Sequence, residues 1–534
     1  MDDTTPVSHP IPLDGPTPIE AAAGLPSDTL ALGVFLLLAS SVLQRAVGFA
    51  REICFCRWLT AEQLGEWDMA FGFLMMAGPL LVMSLPGTFG RHAERYRQAG
   101  QLRSFLVRTA GFCGLLGAPL LAAVFLFRGT LSYLVFGSRD HESLVLLMGA
   151  ALVSIIAFNY LTCLFTALRN MKVVSVVELA NSVFFGMLGI GLLCCGRTTA
   201  SAMVVAYGGA CLLCVTGSLV WLARAWRNFP REPVRMPHHE LWSRLLPLAA
   251  WIMLINFLWG LFDVVDRYMI VHLLPGTSAE ALTEVGNYRS SRVLPLLLSS
   301  ITVMIAGAVL PHLSHDWEAG RRRQVSDRLN LFLKIWSVLL TAGAAAVLFI
   351  APVLFHVGFQ SKFPGGLRVL PWTLTYCTWF GLSMLLQTYL WCAERAHVAS
   401  LVAFLGVLVN VGLNLLLLPR LGLQGAVLAT AAANGVAVLL MCGLCRRYGL
   451  NVHRGTFFGL LLPVSIPLGP WVVLLVLAAV IFQTIVSDRF LSREEKQEIL
   501  AGIERYVTPV LRRARGKMAP RPGEVFSKCR NSPS

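Results

Sequence analysis

Ionisable side chains inside long apolar runs are the residues of first chemical interest here, because a charge at bilayer depth is expensive and normally faces a partner or a cavity. Arg45 lies about fifteen residues into the apolar run that opens at Leu30, with Arg51 and Glu52 one and a half turns further on. Arg289 and Arg292 stand one turn apart near the start of a later run, just beyond Tyr288. A guanidinium is a planar, permanently charged fork of donors that suits phosphate oxygens. Helical spacing places Gln44, Arg45, Gly48, Arg51 and Glu52 on one expected face. Arg51 and Glu52 also fit an interfacial, snorkelling position. Arg45, Arg289 and Arg292 together predict a cationic, water-filled cavity of the kind an anionic substrate requires.

A second group lies at Phe262-Asp263-Val264-Val265-Asp266-Arg267. Asp263 and Arg267 are spaced i, i+4 and can pair on one helical face. Asp266 is left without a local partner, which makes it a candidate for proton or sodium exchange. The Asp-x-x-Asp spacing also occurs in magnesium-diphosphate clusters of membrane prenyltransferases, but those need a second acidic cluster that this sequence does not offer. Glu178 with Asn181, and Asn410 with Asn414, are polar pairs at helical spacing, expected to form interhelical hydrogen bonds. His238 and His239 fall in a basic loop and read as solvated.

No Gly-rich phosphate loop, GxSxG or HExxH motif occurs, so neither a catalytic centre nor an ATP-driven pump is expected, and no bound cofactor. Cys211 with Cys214, and Cys442 with Cys445, have CxxC spacing but lack the second ligand pair of a zinc site. No metal site is expected. Most of the 13 cysteines, such as Cys113, Cys194 and Cys195, lie in apolar runs and read as small core residues.

The elements that must position these groups are membrane helices. Of 534 residues, 56% are hydrophobic and 14% charged, against roughly 25% charged in soluble domains. At about 20 apolar residues per crossing, the composition fills about twelve to fifteen helices and leaves no room for a large soluble catalytic domain. Twelve spans are expected near 30–50, 69–88, 106–127, 143–166, 173–194, 201–223, 246–274, 292–312, 330–355, 367–392, 399–418 and 423–445. The run from Thr456 to Val486, interrupted by Pro463, Pro467 and Pro470, reads as two more helices with a tight turn. The net charge of +15 is scattered in short loops, which argues for membrane topology and against nucleic acid. Loops after even-numbered spans carry roughly nineteen Lys and Arg against about ten in the others, so those loops and both termini are expected in the cytoplasm. Residues 1–28 lack Lys and Arg, and no cleavable signal peptide is expected.

An internal repeat organises the spans. Leu85-Pro86 before a basic loop reappears as Leu310-Pro311, and Ala167 with Arg169 as Ala393 with Arg395, at offsets near 225. The expected architecture is all-α and polytopic, with two pseudo-symmetric six-helix lobes related by an axis along the membrane normal. The divisions are a disordered cytoplasmic tail (1–29), an N-lobe (30–235), a C-lobe (236–448), two further helices (449–487) and a cytoplasmic tail (488–534). That tail opens on Ser492-Arg493-Glu494-Glu495, a capping-box pattern, followed by Ile499, Ile503, Tyr506 and Val510 at the spacing of an amphipathic interfacial helix.

The stretch Ser40 to Glu52, SSVLQRAVGFARE, resembles the first-helix motif of the lipid II flippase MurJ and Wzx-type oligosaccharide flippases of the multidrug/oligosaccharidyl-lipid/polysaccharide (MOP) exporter superfamily. The similarity continues through Gly286-Asn287-Tyr288 to Arg292, Leu310-Pro311-His312-Leu313-Ser314, and Asn414 to Ala426. The resemblance implies two six-helix lobes around a central cavity, lined by Arg45, Arg51 and Arg292, which would bind the diphosphate of an undecaprenyl-linked saccharide. It implies a bacterial inner-membrane transporter, working by alternating access, with polymerase or glycosyltransferase partners. Where the lipid II flippase carries a further arginine in its second helix, this chain reads Leu80-Leu81-Val82-Met83-Ser84, which tilts the expected substrate toward a polysaccharide unit. Two other readings stay open: a cation-coupled drug exporter of the same fold, and a polytopic glycosyltransferase or ligase.

Overall fold

The computed structural model describes residues 30–226 and 238–499. Among them every regular element is helical. The helices are α1 (Leu30–Trp58), α2 (Ala61–Leu81), α3 (Phe89–Gln98), α4 (Leu102–Leu126), α5 (Arg128–Phe136), α6 (Glu142–Ala167), α7 (Met171–Cys194) and α8 (Ala200–Trp226). The second half comprises α9 (His238–Leu273), α10 (Ser278–Glu318), α11 (Arg322–Val353), α12 (Pro364–Cys392), α13 (Ala396–Leu421), α14 (Leu423–Arg447), α15 (Arg454–Leu461) and α16 (Pro470–Val486). Ten are long and apolar enough to cross a membrane, eleven when the bent pair Ala61–Leu81 and Leu85–Gln98 counts as one span. The shorter Arg454–Leu468 and Pro470–Val486 are apolar as well.

Local chemistry sets the ends of these helices. Thr60 caps α2 by accepting from the Gln63 amide, and Thr277 and Glu280 form a capping box at the start of α10. Pro79 removes one backbone donor near the end of α2, and Met83 and Ser84 then adopt left-handed φ of 51° and 49°, so the chain bends by 62°. The second span therefore begins at Ala61 and ends by Leu81, where hydropathy alone indicates 69–88. The eighth expected span likewise begins earlier, at Ser278 of α10, so Arg289 and Arg292 sit three to four turns inside it and not near its start.

The repeat is visible in the backbone. Left-handed residues that end helices recur as Gly100 and Gly320, Gly137 and Ser361, Arg169 and Glu394, and Gly196 and Gly422, separated by 220 to 226 positions. The match fails at one point. The first half breaks after α2, whereas α10 runs unbroken through Pro295 and Pro311 for 41 residues. Separate buried clusters form around Phe89, Phe105 and Phe165 in the first half and around Leu329, Leu385 and Tyr389 in the second, and a third cluster joins the halves through α2 and α10.

The closing segment folds back on itself. From α15 the chain passes through a 3-10 turn (Leu462–Leu468) to Gly469, with φ of 104°, and then into α16. Trp471 packs on Phe349 near the far end of α11, while Phe490 returns to the backbone at Gly455. The turn falls where the prolines put it, but both closing helices are shorter than the other spans. The expected capping box is present, with the Ser492 amide donating to Glu495 at 2.8 Å and the Glu495 amide to the Ser492 hydroxyl at 3.2 Å. The tails 1–29 and 500–534, including Ile503, Tyr506 and Val510, lie outside the described residues.

Candidate functional site

The charged groups converge where α1, α2, α9 and α10 meet. Arg289 of α10 donates to Glu52 of α1 at 2.9 Å and to Asp68 of α2 at 2.8 Å. Arg267 of α9 reaches the same Asp68 oxygen at 3.2 Å and its own-helix Asp263 at 2.5 Å. Arg292 closes the chain onto Asp263 at 2.6 Å. The i, i+4 pair expected between Asp263 and Arg267 is therefore present, but it is one link in a network that ties the two halves together. Arg51 lies 3.4 Å from Glu52 and stacks over Phe185 at 4.1 Å from the ring centre.

Asp68 is the residue that sequence reasoning missed. It is fully buried and takes two arginines on one oxygen. It sits in the polar first turns of α2, ahead of the apolar run, where hydropathy does not look. A face-level signal existed: Gly65, Asp68 and Gly72 lie on one side of the helix. Gly65 meets the backbone of Leu282, and a Cβ on Gly72 would stand 3.1 Å from the Arg267 guanidinium. Small residues there let α2 approach the arginines of α9 and α10.

The single face expected for Gln44, Arg45, Arg51 and Glu52 splits in two. Gln44 and Arg51 line a first-half pocket of about 350 Å³ with Glu178, Asn181, Phe185 and Tyr207. Arg45 turns the other way, its Nε 3.3 Å from the Met304 sulfur on α10, while Glu52 faces Arg289. The reason is geometric, since successive residues are separated by about 100° around a helix. Arg45 pairs with no carboxylate among the described residues.

Around this seam stand five arginines (45, 51, 267, 289 and 292); three carboxylates (Glu52, Asp68 and Asp263) pair with four of them, and Arg45 has none among the described residues. Several buried donors make no hydrogen bond, namely Arg292 Nε and Nη1, Arg267 Nε and Arg51 Nε. Asp263 is the accessible carboxylate, its side chain 58% exposed while Arg267 beside it is 2% exposed. The Arg292–Asp263 pair is thus the exposed end of the network. Buried donors without acceptors and a surplus of guanidinium charge fit an oxyanion ligand.

Asp266 belongs to a different environment in the second half. It pairs with no arginine or lysine among the described residues. Asn414 donates to it at 2.8 Å, Thr430 at 2.6 Å and Tyr288 at 3.4 Å. Asn414 also donates to Asn410, which donates to Thr430, so the expected polar pair on α13 turns inward toward Asp266. The buried Asn414 Oδ1 has no donor. A lone carboxylate of charge −1 among amide and hydroxyl donors, with the Asn414 oxygen free nearby, suits a proton or a monovalent cation and is poor for a transition metal. No group of three or more His, Cys, Asp or Glu side chains gathers among the described residues.

Residues 30–317 match the polysaccharide biosynthesis protein family, and residues 283–492 match the lipid II flippase MurJ family. The stage V sporulation protein B of Bacillus subtilis (strain 168) is 23% identical over 498 residues, covering 89% of this chain and 90% of that protein. In fold, the chain superposes on a lipid II flippase MurJ in an inward closed conformation with a TM-score of 0.62 at 13% identity, over 85% of this chain and 100% of that one. An inward-facing multidrug resistance MATE family transporter of the MOP superfamily gives the same TM-score at 11% identity, over 78% and 98%.

Proposed function

The chain belongs to the polysaccharide biosynthesis protein family, as a MurJ/Wzx-type flippase of the MOP exporter superfamily, and on that premise we propose that it moves a polyprenyl-diphosphate-linked oligosaccharide from the inner to the outer leaflet by alternating access. The observation that carries the substrate class is the surplus of arginine at the seam, with unpartnered donors on Arg292 and a carboxylate-free Arg45. A diphosphate brings the acceptors those donors lack. It competes with Asp263 for Arg292, and because Asp263 is exposed, freeing that carboxylate costs far less than freeing the fully buried Asp68. The saccharide occupies the hydrated space between halves, and the lipid tail stays in the bilayer.

Alternating access finds support in the side of the molecule away from the arginine-rich loops. There the first turns of α2 and α10 meet backbone to backbone at Gly65 and Gly286, and Lys362 donates to the Arg57 carbonyl across the halves at 2.5 Å. With this seam closed, substrate enters from the arginine-loop side, which the loop charges assign to the cytoplasm. Asp266 takes the role of coupling site for sodium or a proton. The cation-coupled drug exporter is the second reading, favoured by the MATE-like fold. Five seam arginines repel a cationic drug, however. Vesicles carrying the purified chain separate the two: outward movement of a fluorescent polyprenyl-diphosphate-linked saccharide supports the flippase, and extrusion of a cationic dye without lipid movement supports the exporter.

A further inference from the structure

A second basic site lies outside the seam, at the end of the molecule that bears the arginine-rich loops. Arg446 at the end of α14, the loop residues Val452 and His453, and Arg454, Phe457 and Phe458 of α15 line a cavity of about 520 Å³. Its walls are held in place. Asn330 on α11 donates to the Asn451 carbonyl at 2.7 Å and accepts from the His453 amide at 3.1 Å, and the Asn451 amide donates to Ser326 at 3.0 Å. The acids nearest the cavity are engaged: Glu495 is held by Lys334 at 2.7 Å and stands 3.4 Å from His453, and Asp327 stands 3.6 Å from the other His453 nitrogen and 3.9 Å from Arg323. Arg446 and Arg454 pair with no carboxylate among the described residues.

The sequence changes character at this cavity. Asn451, His453 and Arg454 are polar, and the apolar run that forms the closing hairpin begins at Thr456. Phe457 and Phe458, 45% and 61% exposed, stand at that boundary with the arginines on their polar side. An anion in water has no use for the two rings, whereas an amphiphile with a phosphate head and acyl chains uses both parts. We propose that this cavity binds the headgroup of an acidic bilayer phospholipid, its phosphate on Arg446 and Arg454 and its chains over Phe457 and Phe458. The site is independent of the transported substrate.

Titration of the detergent-purified full chain with phosphatidylglycerol, followed by native mass spectrometry, tests this. At roughly fivefold per arginine near a membrane surface, the double substitution Arg446→Gln with Arg454→Gln lowers phosphatidylglycerol affinity about 25-fold. Arg91→Gln with Arg224→Gln, which removes the same charge from exposed positions on the same side, leaves it unchanged. Phosphatidylcholine and glycerol phosphate bind far more weakly than phosphatidylglycerol. The proposal is overturned if the Arg446/Arg454 variant binds like the parent, if the control pair loses as much, or if glycerol phosphate binds as well as the lipid. It is also overturned if a polyprenyl diphosphate displaces phosphatidylglycerol from this cavity at lower concentration, which would make it a substrate site.

Discussion

Substituting Gly286 by alanine tests the closed seam most sharply, because steric and helix-propensity effects push in opposite directions. A Cβ at Gly286 falls 2.8 Å from the Ala61 carbonyl carbon and 3.2 Å from its Cα, and closer still to the carbonyl oxygen. These are backbone atoms of a capped first turn, so no side chain can rotate away. Carbon atoms pack at about 3.5–4.0 Å, and α2 and α10 must therefore separate by on the order of an ångström. Overpacking of this kind costs about 1–3 kcal/mol, which lowers the closed population about 5- to 150-fold relative to any state in which the helices are apart. Alanine meanwhile raises helix propensity by about 1 kcal/mol, which by itself slows amide exchange in α10. Hydrogen exchange read by mass spectrometry on peptides spanning 61–70 and 278–292 distinguishes the two. Faster exchange in both segments, with slowed transport, is the expected result; slower or unchanged exchange refutes the view that this glycine contact holds the seam shut.

Asp68→Asn leaves Arg267 and Arg289 without their shared carboxylate, and breaking a buried pair in this way costs about 3–5 kcal/mol; thermal unfolding in detergent should register a clear loss, and an unchanged midpoint contradicts the network's role. Asp266→Asn should retain the fold, since Tyr288 and Thr430 can still donate to the remaining oxygen. It should abolish the response of transport to an imposed sodium or proton gradient; a retained response removes Asp266 from coupling. Burial pushes the Glu495 carboxyl up, but hydrogen bonds from Lys334 and the Ser492 amide, with His453 nearby, outweigh it and hold the group below its ordinary value near 4.5. That docking energy is present above the ordinary range and is lost as pH falls through the lowered folded-state value. Proteolysis within 488–499 should therefore rise only below about pH 4.5, or at neutral pH in Glu495→Gln; release between pH 7 and 5 contradicts the assignment.

Features set by local periodicity were legible in the sequence. Asp263 with Arg267, Asn410 with Asn414, the Ser492–Glu495 box and the repeat of about 225 residues all depend on neighbours or on a recurring pattern, and all appear in the structure. The partners of Arg289 stand 221 and 237 positions away, and no spacing rule reaches across two halves of a chain. Asp68 escaped because a buried acid in a polar first turn looks like a loop residue until the facing helix is in place. The shared face assigned to Arg45 and Arg51 was a matter of rotation: a stripe wide enough to include Gln44 and Arg45 spans two neighbours, and only packing against α7 and α10 separates them.

If seam arginines hold the diphosphate of a lipid-linked saccharide, Arg45 is the cleanest probe of that role, because its removal leaves no carboxylate unpaired. The decisive measurement is translocation of a polyprenyl-diphosphate-linked saccharide in vesicles, comparing the parent chain with Arg45→Ala at equal protein level and equal thermal stability. The expected result is loss of translocation and at least a tenfold weaker affinity for the lipid-linked diphosphate, corresponding to about 1.4 kcal/mol or more from a charge-assisted contact. Unchanged translocation and affinity in Arg45→Ala would contradict an arginine-held diphosphate.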